Sequence, residues 1–214
     1  EDWTVKIWNL DSGKEFQTLS GHSGPVRCIA YSPDSKTLAT ASSDFTVKRW
    51  DPLSGKDLQT QQGHIKSVKC VAYSPDSKYF ATGAEDKTVK VWDALSGKEL
   101  HSLEGHSEAV NCITYSGSGS SLITVSDDKT MKKWNSSGTE LSTFYKDTKI
   151  INVSGFRDRE TLALVAEDGT IRIWNAKSDE EREIFPKPPK SDEEQKNSPK
   201  PQEAFRIVAY PYSG

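Results

Sequence analysis

Gly-His recurs in this chain as Gly21-His22, Gly63-His64 and Gly105-His106, 42 residues apart each time. The same offset carries Trp8-Asn9 onto Trp50-Asp51, Trp92-Asp93 and Trp134-Asn135, and Trp174-Asn175 follows 40 residues later. A fixed period of this size restricts the fold more than composition does. Each unit is one supersecondary element that covers its apolar faces with its neighbours. Such folds grow by adding units, so the 214 residues are read as a row of repeats.

One unit has room for four short strands, at the spacing of an all-β sheet. After Gly21-His22 these are Val26 to Tyr31, Thr37 to Ala41, Thr46 to Trp50 and Asp57 to Gln61. The first turn, Ser32-Pro33-Asp34-Ser35, has a Pro that presets φ and an Asp that bonds its own backbone. In Ser54-Gly55-Lys56 the Gly supplies the positive φ of a short hairpin. The turn before the third strand reads Asp2-Trp3-Thr4, Asp44-Phe45-Thr46, Asp86-Lys87-Thr88, Asp128-Lys129-Thr130 and Asp168-Gly169-Thr170. A position that accepts Trp, Phe, Lys or Gly is exposed. The constant carboxylate serves backbone N–H groups of the turn.

Hydrophobic residues make up 34% of the chain, which suits short strands separated by polar turns. A net charge of −3 with no basic stripe gives no reason to expect a nucleic-acid partner. No apolar run reaches about 18 residues, so no membrane partner is expected. No secretory leader is visible, although the chain starts at Glu1 and a leader could lie outside it. Cys28, Cys70 and Cys112 hold equivalent places in three units, one repeat width apart. They are read as buried free thiols, not as a metal or disulfide set. Unpaired thiols favour a reducing compartment, cytoplasmic with the nucleus as alternative.

Gly-His, the Ser-Pro-Asp hairpin, the turn Asp and Trp-Asp at this period resemble the WD-repeat β-propeller family, over residues 1 to about 185. The resemblance implies an all-β propeller of four-stranded antiparallel blades, here probed by four complete repeats and partial blades at both ends. It also implies a hydrogen-bond network in each blade that ties the Gly-His turn to the third strand. The residues that match are His22, Thr40, Asp44 and Trp50, then His64, Thr82, Asp86 and Trp92, then His106, Thr124, Asp128 and Trp134. Buried hydroxyl and indole groups need such partners. A repeated set of this kind is structural, so a catalytic His-Asp-Ser reading is set aside.

A fourth blade keeps only Asp168 and Trp174; Asp147 or a neighbour replaces the His, and Leu164 replaces the hydroxyl residue. It is expected to be less tightly bound. Just before the Trp stand Ile7, Arg49, Val91, Lys133 and Ile173, and the heads of Arg49 and Lys133 are expected to snorkel out between blades. The blades run over about 25–62, 67–104, 109–145 and 150–185, with a partial blade at 1–20. Residues 186–203 have five prolines and no aliphatic or aromatic side chain, and are read as a disordered loop or linker. Residues 204–214 then carry AFRIVAY, the first strand of a further blade. An incomplete propeller follows.

No phosphate loop, zinc spacing or nucleophile elbow is present, so no enzyme, metal or cofactor is expected. The family resemblance implies a non-enzymatic scaffold that binds protein or peptide partners on the face carrying the Gly-His loops. Three positions per blade point there: Pro25, Arg27 and Ser43; Ser67, Lys69 and Glu85; Ala109, Asn111 and Asp127; Ile150, Asn152 and Glu167. With Glu1, the acidic members form an arc expected to select basic partners. The alternative is a ligand-sensing domain of a nucleotide-dependent signalling ATPase, whose repeats the SGKELHSLEGH stretch from Ser96 to His106 resembles.

Overall fold

The computed structural model describes residues 2–155 and 160–185. A two-stranded sheet, β1 (Val5–Trp8) and β2 (Glu15–Leu19), precedes four four-stranded blades. The first blade holds β3 (Val26–Tyr31), β4 (Leu38–Ser42), β5 (Val47–Trp50) and β6 (Asp57–Gln61). The second holds β7 (Val68–Tyr73), β8 (Tyr79–Ala84), β9 (Val89–Asp93) and β10 (Glu99–Leu103). The third holds β11 (Val110–Tyr115), β12 (Ser121–Ser126), β13 (Thr130–Asn135) and β14 (Glu140–Tyr145). The fourth holds β15 (Ile150–Gly155), β16 (Thr161–Ala166), β17 (Ile171–Asn175) and β18 (Glu181–Phe185). Every blade is an antiparallel meander, and no helix occurs among the described residues. The sheets are those of an incomplete propeller. The linker reading of 186–203, the strand reading of 204–214 and Glu1 lie outside the described residues.

Each blade turns its Trp face to the blade before it. Ala39, Ala41 and Val47 of the first blade pack on Val71, Phe80 and Trp92 of the second. Cys70, Ala81 and Val89 of the second pack on Ile113, Leu122 and Trp134 of the third. Ile123, Val125 and Met131 of the third meet Val153, Leu162 and Trp174 of the fourth. At the first two interfaces small residues on one side, Ala39, Ala41 and Ala81, face large ones on the other and let the sheets approach closely. The two-stranded sheet covers only the outer part of the first blade, through Val5 and Leu19 on Leu38 and Trp50. Ile29 is therefore 52% exposed, where its counterparts Val71, Ile113 and Val153 are buried. Burying such a side chain contributes about 1.5–3 kcal/mol.

The turns explain two sequence patterns. Gly55 and Gly97 take φ of 71° and 69°, as a short hairpin demands. The variable residue after each turn Asp is also left-handed: Trp3 (57°), Phe45 (72°), Lys87 (74°), Lys129 (63°) and Gly169 (85°). Its side chain points to solvent, so identity is free, and only the fourth blade uses the residue that takes this backbone without strain.

Candidate interaction site

The end of the blades that carries the Gly-His loops rests on three copies of one relay. Gly21 and Gly105 adopt φ of 146°, a conformation suited to glycine, and deliver the following His beneath the turn. His22 Nδ1 meets Asp44 Oδ2 at 2.7 Å and His22 Nε2 meets Thr40 Oγ1 at 2.7 Å. Trp50 Nε1 donates to the same Thr40 Oγ1 at 2.9 Å. In the second blade His64 meets Asp86 at 2.9 Å and Thr82 at 2.8 Å, and Trp92 donates to Thr82 at 2.9 Å. In the third, His106 meets Asp128 at 3.0 Å and Thr124 at 2.8 Å, and Trp134 donates to Thr124 at 2.9 Å.

Proton roles follow from the chemistry. The carboxylate only accepts, so Nδ1–H donates to it; Nε2 then accepts the Thr hydroxyl, whose oxygen is left for the indole N–H. Burial opposes ionisation of Asp44, but bonds from Thr46, the Ser23 N–H and His22 outweigh it and hold the pKa at about 2. Asp86 and Asp128 are lowered in the same way. For His106 burial dominates over the pull of Asp128 and lowers its pKa, favouring the neutral ring. Thr46, Thr88 and Thr130 are additional members: each hydroxyl donates to the turn Asp, at 2.6–2.7 Å. Their signal was the constant Asp-x-Thr triplet.

In the fourth blade Asp168 bonds its own turn in the same way, taking the Thr170 N–H at 3.1 Å and hydroxyl at 2.8 Å. Leu164 is fully buried, and the buried Trp174 Nε1 has no hydrogen-bond partner among the described residues. Trp174 is held by packing instead, with Phe144 edge-on at 5.4 Å.

The first strand of each blade runs away from the Gly-His turn, and the turn Asp brings the chain back to the same end. A bulge in the first strand, between Val26 and Cys28, Val68 and Cys70, Val110 and Cys112, and Ile150 and Asn152, leaves one residue unpaired and re-aims it. That residue is Arg27, Lys69 or Asn111, and each reaches the residue before the turn Asp. Arg27 Nε donates to Ser43 Oγ at 2.6 Å, Lys69 lies 3.3 Å from Glu85, and Asn111 Nδ2 donates to Asp127 Oδ1 at 2.6 Å. Ser67 Oγ bonds Ser43 Oγ at 3.1 Å across the first two blades.

The fourth blade requires a correction. Its bulge residue is Ile151, not Asn152, and Asn152 holds the place of the cysteines, its Oδ1 4.0 Å from Cys112 Sγ. The Glu167 N–H bonds the Lys149 carbonyl at 2.9 Å, as Glu85 bonds Ser67 and Asp127 bonds Ala109, so Lys149 and not Ile150 matches Pro25. Without a His to count from, the alignment slipped by one residue. Lys149 pairs with Asp127. The acidic positions are thus interleaved with cations: Glu85 is neutralised by Lys69 and Asp127 by Lys149, and the face alternates in charge.

The expected outward course of two cations is also corrected. Arg49 is buried, 5.7 Å over the Phe80 ring of the next blade, with Nη1 donating to Gln59 Oε1 at 3.3 Å. Lys133 reaches the fourth blade, donating to the Ala176 carbonyl at 2.7 Å and Asp179 at 2.9 Å. The next sheet lies within reach of the head, so an ordered partner replaces solvent. Cys28, Cys70 and Cys112 are free, and each Sγ faces the following inner strand at Val71, Val110 and Val153 carbonyls, 3.8–3.9 Å away. Burial pushes these thiols up, Cys112 to about 11, so they are poor nucleophiles. Among the described residues no cluster of three or more His, Cys, Asp or Glu is placed to hold a metal.

Repeated four-stranded blades with this relay define a WD-repeat β-propeller. The family model "WD domain, G-beta repeat" matches residues 13–51, 55–93 and 97–135, more than half of the sequence, and the chain belongs to that family. Its members are generally non-catalytic scaffolds for protein partners. Periodic tryptophan protein 2 of Saccharomyces cerevisiae is 36% identical over 44 residues, 21% of this chain and 5% of that protein. Coronin-7 of Mus musculus is 46% identical over 43 residues, 20% of this chain and 5% of that protein. The chain thus spans a small part of these relatives' lengths. The structure of U3-55K superposes with a TM-score of 0.70 at 26% identity, over 78% of this chain and 54% of that one. The WD40 repeats of RRP9 do so equally, over 78% and 53%.

Proposed function

We propose that this chain is a non-enzymatic interaction platform that binds protein or peptide partners on the face carrying the Gly-His loops. The observation that carries this reading is the repeated display at one end of the first three blades. A bulge residue and the residue before the turn Asp are paired there, on a backbone pinned from below by the relay. Pre-fixed side chains lose little freedom when a partner docks. Because cations and carboxylates alternate along the face, it suits a partner of mixed charge rather than a uniformly basic one.

The test is co-purification with the chain and with the Glu85→Lys/Asp127→Lys variant, in which two carboxylates of the face become cations and the alternation is broken. The reading expects loss of partners from the variant, and a changed salt dependence for any that remain, because charges at such a surface set encounter and selectivity. Partners recovered equally, with the same salt dependence, would place the working surface elsewhere.

A further inference from the structure

The residue before the Trp decides how each blade interface is filled. Between the first and second blades it is Arg49, whose guanidinium lies over Phe80. Between the third and fourth it is Lys133, whose ammonium sits 5.8 Å over Trp174 and binds Ala176 and Asp179. Between the second and third it is Val91, three carbons in place of a long cation. There the blades leave a cavity of about 500 Å³ that opens to solvent, lined by Val91, Leu100, Asp76, Tyr79, Tyr115 and Ser136. Ser136 is the second residue after its Trp, the counterpart of the Ala176 that receives Lys133.

The cavity has an unmet polar requirement. The Tyr115 hydroxyl is buried and has no hydrogen-bond partner among the described residues. Its counterpart Tyr73 bonds Thr37 Oγ1 at 3.0 Å, but Tyr79 stands where Thr37 would be. A buried phenol without a partner is costly. Burial raises the Tyr115 pKa, and the nearby Asp76 carboxylate raises it further. Asp76 pairs only loosely with Lys78, 3.8 Å away with both side chains at least half exposed.

We propose that this cavity takes the arginine or lysine side chain of a protein partner, filling the interface as Arg49 and Lys133 fill its neighbours. The aliphatic stem lies along Val91 and Leu100. The cationic head donates to the Tyr115 oxygen and the Asp76 carboxylate, beside the Tyr79 ring. A volume of this size accepts the side chain together with part of the flanking peptide. The site sits at the end of the blades opposite the Gly-His loops, so it stands or falls independently of the platform face.

The experiment titrates acetyl-Leu-Arg-Leu-amide into the chain and follows the ring signals of His101, which also lines the cavity. The expected result is saturable shifts with Kd on the order of 1 mM. The citrulline peptide, which keeps shape and loses charge, should bind about tenfold more weakly, as should the arginine peptide to Asp76→Asn. Val91→Arg places a guanidinium in the cavity from within, as Arg49 does one interface away, and should abolish the shifts while keeping the Trp92 and Trp134 indole signals. No saturable shift up to 20-fold the expected Kd overturns the proposal, as does equal binding of the citrulline peptide. Unchanged binding by Asp76→Asn, or by a folded Val91→Arg, overturns it as well.

Discussion

Thr82 Oγ1 accepts the indole N–H of Trp92 at 2.9 Å, and the same hydroxyl sits 2.8 Å from His64 Nε2. One small side chain thereby locks the third strand to the Gly-His turn. In the fourth blade Leu164 takes its place and the Trp174 N–H finds no partner among the described residues. Trp92→Phe is expected to destabilise by about 1–2 kcal/mol more than Trp174→Phe. The lost ring area is the same in both, so the hydrogen bond is the largest difference between them. Urea midpoints of the two variants check it.

Gln61 is a stabilisation site. It ends β6 where the equivalent strands end in Leu19 and Leu103, and both of its buried amide atoms lack partners among the described residues. Gln61→Leu removes two unsatisfied groups and adds apolar burial. A gain of about 1–3 kcal/mol is expected, read as a raised thermal midpoint.

Phe45 holds φ of 72° with a side chain 48% exposed. A left-handed bulky residue costs about 1–2 kcal/mol, while glycine gives back about 0.5–1 kcal/mol in chain entropy. Phe45→Gly should therefore stabilise by up to about 1 kcal/mol. Lys129→Gly, at the same position two blades on with φ of 63°, should act alike. Thermal melts of both decide.

Acid should unfold the blades in two stages. His106 is lowered from 6.5, so its contribution is complete above that pH and declines as pH falls below it. Asp44 is lowered from 3.8 to about 2, so its contribution is complete above about pH 4 and is lost as pH falls toward 2. The urea midpoint should be level above pH 7, fall gently below 6.5 and steeply below 4. Asp44→Asn should soften the lower limb, and a midpoint level down to pH 3 would contradict the relay.

The repeat, the strand count per blade and the relay residues were legible because the period returns the same residue types to the same environment. Where the period fails, legibility fails with it. The fourth blade has no His, so Asn152 was placed one residue out of register and Lys149 was missed. The charge pattern of the face was half visible: Glu85 and Asp127 stood out in sequence, but their cations come from a bulge on one strand and from the next blade. Arg49 and Lys133 reach across a gap that no single repeat displays. The Tyr115 cavity exists only because Val91 and Tyr79 belong to one blade and Tyr115 to its neighbour.

Lysine cross-linking of a recovered complex tests the platform directly, because Lys69 and Lys149 mark the Gly-His face while Lys36, Lys78 and Lys98 mark the turns at the other end. The account predicts partner cross-links at Lys69 and Lys149. A complex whose cross-links avoid both and fall on Lys36, Lys78 and Lys98 would contradict it.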